Sequence, residues 1–155
     1  ENRCMKLLLH QQPVARDLRM ISAALKMITD MERIGDQAED IAEIVTFLNG
    51  YTVEGFSFVD EMANETTKIV KRSVDAYVNK DVKMAEEVIA QDDIVDDYFS
   101  KIKHDIITKK EKKTADGEFA LDMLMIAKYF ERIGDHATNI AEWVIYSVTG
   151  THKEA

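Results

Sequence analysis

The chain has 155 residues, 46% of them hydrophobic and 32% charged, with a formal net charge of −9. That balance excludes a nucleic-acid surface, which needs a basic stripe, and the length suits one domain or two small halves sharing a core. Its single cysteine, Cys4, leaves no internal disulfide and favours a reducing compartment.

The elements follow in chain order. The chain opens on Glu1, already within a helical pattern (Cys4, Leu7, Leu8), so the N-terminus is expected to have been cut away. Residues 1–12 read as the tail of a helix that Pro13 breaks. From Ala15 to Leu48 apolar residues recur at helical spacing (Met20, Met27, Met31, Ile34, Ala38, Ile41, Val45), and Asn49-Gly50 ends the run. Tyr51–Phe56 is a short linker, and Ser57 to Asp60 has the spacing of a capping box. A helix then runs to Val78, Asn79-Lys80 turns, and Asp81 caps a helix over Val82–Lys109. Lys110–Ala115 is a polar loop, and Asp116 opens a last helix ending near Gly150. No strand-like alternation occurs and no apolar run approaches the roughly 20 residues that span a bilayer. The fold class is all-α, built of long antiparallel helices.

A long repeat runs through this pattern. Glu32-Arg33-Ile34-Gly35-Asp36 with Ile41-Ala42-Glu43 returns, 99 residues later, as Glu131-Arg132-Ile133-Gly134-Asp135 with Ile140-Ala141-Glu142. Such a repeat marks a duplicated structural unit. It divides the chain into a partial first unit, 1–50 (a helix stub and a long helix), and a complete three-helix unit, 51–155. The long helix of the first unit has too few partners within its own half, so a homodimer or a swapped arrangement is expected.

The repeat carries acids as well as core residues. At about 100° per residue, Asp135 lies about 40° from Glu131, while the stripe of Ile126, Phe130, Ile133, Ala137, Ile140 and Val144 lies about 180–260° away. Glu32 and Asp36 repeat that placement. A solvated face is the ordinary alternative, but apolar Ile21, Leu25, Ile28, Leu121 and Leu124 continue the acidic face lengthwise. Carboxylates at i and i+4 also repel unless something positive sits between them. Asp92 and Asp96 repeat the spacing and border the stripe of Val88, Val95 and Ile102, while Asp93 and Asp97 point to water. Two helices that each offer a carboxylate pair can converge on a hard or borderline cation. Arg33 and Arg132 are expected to pair with neighbouring acids, and His136 to sit off the acidic face. Gly35 and Gly134 mark close helix approach or room beside the acids. No Glu-x-x-His, His-Glu-x-x-His, P-loop or partnered Ser or Cys nucleophile occurs.

These residues resemble the PhoU family, regulators of bacterial phosphate uptake. The matching pieces are Gln12-Pro13-Val14-Ala15-Arg16-Asp17-Leu18-Arg19, the two Glu-Arg-Ile-Gly-Asp strings, and Asp92 to Asp96. The resemblance implies tandem three-helix bundles, here one complete and one partial. It further implies metal binding at Asp92, Asp96, Glu131 and Asp135, and at Glu32 and Asp36, with divalent or ferric ions (Fe, Mn, Mg, Zn or Ca). In the first site Glu32 and Asp36 lack the facing acidic pair, while Asp40 stands where the second repeat has Asn139. The expected role is a cytoplasmic, non-enzymatic adaptor, at most peripheral to the membrane. It would contact the ATPase subunit of the phosphate ABC transporter and a sensor histidine kinase, holding the kinase in its signalling-off state. The rivals are a regulatory domain of another phosphate transporter, a metal-dependent enzyme or metal-storing bundle, and a structural dimerisation module.

Overall fold

The computed structural model describes residues 1–10, 15–48, 57–111 and 117–151. Helices run over Asn2–His10 (α1), Ala15–Phe47 (α2), Ser57–Asn79 (α3), Val82–Glu111 (α4) and Gly117–Thr149 (α5), with no strand among the described residues. The ends fall within two residues of those expected from the pattern. The break at Pro13, the Asn49-Gly50 stop, the linker over 51–56, the cap at Asp116 and the side chain of Ser57 lie outside the described residues.

The turn between α3 and α4 shows how local chemistry sets direction. Lys80 takes a left-handed backbone (φ 54°), and its N–H donates to Tyr77 O at 3.2 Å while that of Asp81 donates to Ala76 O at 2.9 Å. Those bonds satisfy the last carbonyls of α3. The Asp81 carboxylate accepts from the N–H of Met84 at 3.0 Å and so caps α4. Two residues therefore suffice to reverse the chain. At the far end Gly150 (φ 81°) closes α5, its N–H donating to Tyr146 O at 2.8 Å.

The centre of the molecule is α5, against which α2, α3 and α4 all pack; α3 also packs on α4, and α1 touches α2. Residue pairs set the directions. Asp30 meets His136 and Asn139, and Arg19 meets Gly150, so α2 runs antiparallel to α5. The α3–α4–α5 unit is an up-down-up bundle.

Three neighbours bury more of α5 than one apolar stripe requires. Ile126, Ile133, Ala137, Ile140 and Val144 are buried as the spacing demands, but so are Ala120, Met123, Ala127, Gly134 and Ala141 on the adjoining side. Small residues there let α4 approach closely. Met62, Ile69, Val88, Val95 and Ile102 fill the bundle from α3 and α4, each no more than 1% exposed. By contrast α2 buries Ala23 and Met27, with Leu48 just beyond its end, while Met31 is 49% and Val45 53% exposed. The expected core stripe of α2 is thus only half used, because α5 covers it from one side.

Candidate metal centre

The carboxylates of the second repeat gather along the α4–α5 seam. Gly134 is the reason Asp92 fits there. A Cβ on Gly134 would stand 2.7 Å from Asp92 Oδ1, 3.5 Å from Val95 Cγ1 and 3.6 Å from Ile69 Cδ1. The missing side chain leaves a recess, and the Asp92 carboxylate occupies it. Gly35, at the same place in the first repeat, has nothing within 4 Å of its would-be Cβ. One glycine of the repeat accommodates an acid; its twin faces open space.

This placement costs Asp92 solvation. Its carboxyl is pushed up from 3.8 to about 6, first by burial, then by the charges of Asp135, Asp96 and Asp93. The Thr138 hydroxyl is near enough to favour the charged form, although it falls outside hydrogen-bond geometry. Asp96 is also raised, by burial of its inner side and then by Glu131, Asp93 and Asp97, with Lys128 opposing. Asp135 is raised by burial, then by Glu131 and Asp96, with Lys128 and His136 opposing. Both keep their outer sides in water. Asp92, Asp96 and Asp135 are thus each raised by a carboxylate across the seam: Asp135, Glu131 and Asp96 in turn.

Lys128 supplies the positive charge that such a gathering requires. Its ammonium pairs with Glu131, lies 5.3 Å from the Phe99 ring centroid, and favours the charged forms of Asp96 and Asp135. Neither Lys128 nor Thr138 was singled out in the sequence. Lys128 was findable, since it stands one turn before Glu131. Thr138 becomes relevant only through contact with α4.

Among the described residues no group of three or more His, Cys, Asp and Glu is already placed to hold a metal ion. The donor chemistry nevertheless fits a hard cation: four carboxylates, a recess made by a missing Cβ, and charge that a single ammonium only partly offsets. When bound, such a cation would stabilise the ionised form of every acid in the group.

The other sequence candidates fall elsewhere. Glu32 and Asp36 are exposed on α2, which does not reach α4, and Asp36 pairs with Arg33 at 3.7 Å. Arg132 sits 6.0 Å from the Tyr129 ring centroid. His136 has a part the sequence did not reveal: its Nδ1 lies 2.9 Å from Asp30 Oδ1, which also accepts from Asn139 Nδ2 at 3.2 Å. That polar clamp ties α2 to α5. No pattern in Asp30's surroundings marks it, because its partners lie more than a hundred residues away.

Comparison with known proteins fits this architecture. The PhoU domain model matches residues 1–45 and 59–144. The chain is 38% identical over 154 residues to a phosphate-specific transport system accessory protein PhoU homolog of Clostridium acetobutylicum, covering 97% of this chain and 69% of that protein. It is 34% identical over 156 residues to PhoU homolog 1 of Thermotoga maritima, covering 99% of this chain and 67% of the relative. It therefore spans about two thirds of their length. The crystal structure of PhoU from Pseudomonas aeruginosa superposes with a TM-score of 0.89 at 35% identity, covering 97% of this chain and 73% of that one. PhoU from Streptococcus pneumoniae, at 24% identity over 99% of this chain and 72% of that one, shares the fold with a TM-score of 0.88. From these matches together with the twice-used Glu-Arg-Ile-Gly-Asp string, the chain belongs to the PhoU family.

Proposed function

We propose that this protein is a cytoplasmic, metal-binding accessory regulator of phosphate uptake. It acts as a non-enzymatic adaptor between the ATPase subunit of a phosphate ABC transporter and a sensor histidine kinase, and favours the kinase's signalling-off state. The observation that supports the metal reading is the seating of Asp92 in the recess at Gly134, among acids that raise one another's affinity for protons. A site that crowds negative charge at some cost in stability has a reason to do so if a cation completes it. Asp92, Asp96, Glu131 and Asp135 would be its oxygen donors, and Lys128 would turn away as the cation takes over its charge.

No described helix is long and apolar enough to cross a membrane. The outer side of α2, with exposed Leu18 and Phe47 on the face of Glu32 and Asp36, is the surface offered to a second copy.

The test has two arms. Elemental analysis of protein purified without chelator or affinity metal, with calorimetric titration of Mn2+, should show binding that Asp92→Asn and Asp135→Asn each weaken at least tenfold. Equal metal binding by parent and variants would end the metal reading. A pull-down of the transporter ATPase tests the adaptor role separately, and failure to retain the ATPase at any metal concentration would end that reading.

A further inference from the structure

Far from the acidic seam, a second site lies at the end of the bundle where the start of α2 meets the ends of α3 and α5. A cleft of about 280 Å³ opens there. Its apolar walls are Met20, Tyr77, Val78 and Val148, and its charged lining is Arg16 and Lys80. Ser147 also lines it, with its hydroxyl donating to Val144 O at 2.8 Å. Arg19 flanks the cleft: its guanidinium lies 3.5–3.6 Å from the would-be Cβ of Gly150, and its enclosed Nε has no acceptor.

Two cations from two segments, Arg16 and Lys80, line one cleft, with Arg19 beside it, in a chain of net charge −9. Four other cations are matched by a carboxylate: Arg33 by Asp36, Lys68 by Glu65, Arg72 by Glu87 and Lys128 by Glu131. Among the described residues Arg16, Arg19 and Lys80 have no such carboxylate. The neighbouring Asp81 is turned to the N–H of Met84 and does not offset Lys80. Like charges gathered without a counter-charge repel, and an enclosed guanidinium N–H without an acceptor is costly. The ends of α3 and α5 carry partial negative charge that offsets some of this repulsion. They leave the Arg19 Nε without an acceptor and do not account for the aromatic and apolar walls.

We propose that this cleft binds a small organic phosphate. The phosphomonoester dianion sits between Arg16 and Lys80, with the charge of Arg19 beside the cleft adding to theirs, and a single carboxylate would match them less well. The organic part lies against the Tyr77 ring, itself 38% exposed, and the walls of Met20, Val78 and Val148. The volume is several times that of a phosphate ion alone, so inorganic phosphate fills only the charged end. This site is independent of the metal reading.

Calorimetry on the full chain, in chelator and low salt, with adenosine monophosphate, adenosine and inorganic phosphate as probes, tests it. The nucleotide should bind one to one, inorganic phosphate at least tenfold more weakly, and adenosine not measurably. Arg16→Glu, at an exposed position, should weaken the nucleotide at least tenfold. Lys80→Gly separates binding from folding: it relieves the left-handed backbone at φ 54°, so the melting temperature should hold or rise while nucleotide affinity falls tenfold. No nucleotide binding by the parent up to about 1 mM, binding unchanged in both variants, or phosphate binding as tightly as the nucleotide would each overturn the proposal.

Discussion

Asp92→Asn keeps the shape of the side chain beside Gly134 and removes its charge. The difference between 3.8 and about 6 is about 2.2, and at about 1.36 kcal/mol each the buried charge costs about 3 kcal/mol at neutral pH. Asp92 is only partly enclosed, so solvent screening reduces this by about half, to about 1.5 kcal/mol. Asp92 binds its proton more tightly in the folded chain than in the unfolded one. Its contribution is therefore unfavourable above the folded value, near 6, and disappears as the pH falls below the unfolded value of 3.8. Without metal, Asp92→Asn should be more stable than the parent by about 1.5 kcal/mol at pH 7.5, or about 3–6 °C in melting temperature. The difference should shrink towards zero between pH 6 and pH 4. Urea melts of both proteins in chelator across that range give the comparison, with effects from other acids common to both. The reasoning is refuted if the asparagine variant is less stable at pH 7.5, or if the difference does not change with pH. With Mn2+ in excess the order should reverse, since a cation bound only by the folded parent stabilises it by mass action.

The twin glycines offer a matched pair. Gly35→Ala, with open space around its Cβ, should gain about 1 kcal/mol of helix stability, read as a higher urea midpoint. Gly134→Ala gains the same propensity but drives its Cβ onto the Asp92 carboxylate. Its stability should change little while Mn2+ binding falls, and a variant that binds Mn2+ as the parent does would show the recess to be irrelevant. The clamp between α2 and α5 predicts that Asp30→Ala and His136→Ala each cost about 1–2 kcal/mol. The double variant should cost less than the two together, and strict additivity in a double-mutant cycle would mean the groups do not interact. In the core, Ile140→Ala removes a side chain with no exposed surface and should cost about 2–5 kcal/mol in urea unfolding, far more than any of the surface changes.

Much of this molecule was legible without coordinates, for identifiable reasons. Helix ends follow from short-range chemistry: Asp81 caps because its carboxylate reaches an N–H three residues on, and Gly150 stops α5 because it takes a positive φ. The four acids of the second repeat follow from helical spacing, since residues one turn apart share a face. The duplication is visible because two copies kept the same string. What the chain could not disclose was which surfaces meet. Gly35 and Gly134 are identical in the repeat, yet only the approach of α4 makes one of them a seat for Asp92 and leaves the other bare. The breadth of α5's buried surface, the clamp from Asp30, and the meeting of Arg16 and Lys80 at one cleft were likewise decided by tertiary packing. Periodicity reports how one helix divides its own faces; it carries no information about which neighbour covers each face, and burial and charge proximity depend on that neighbour.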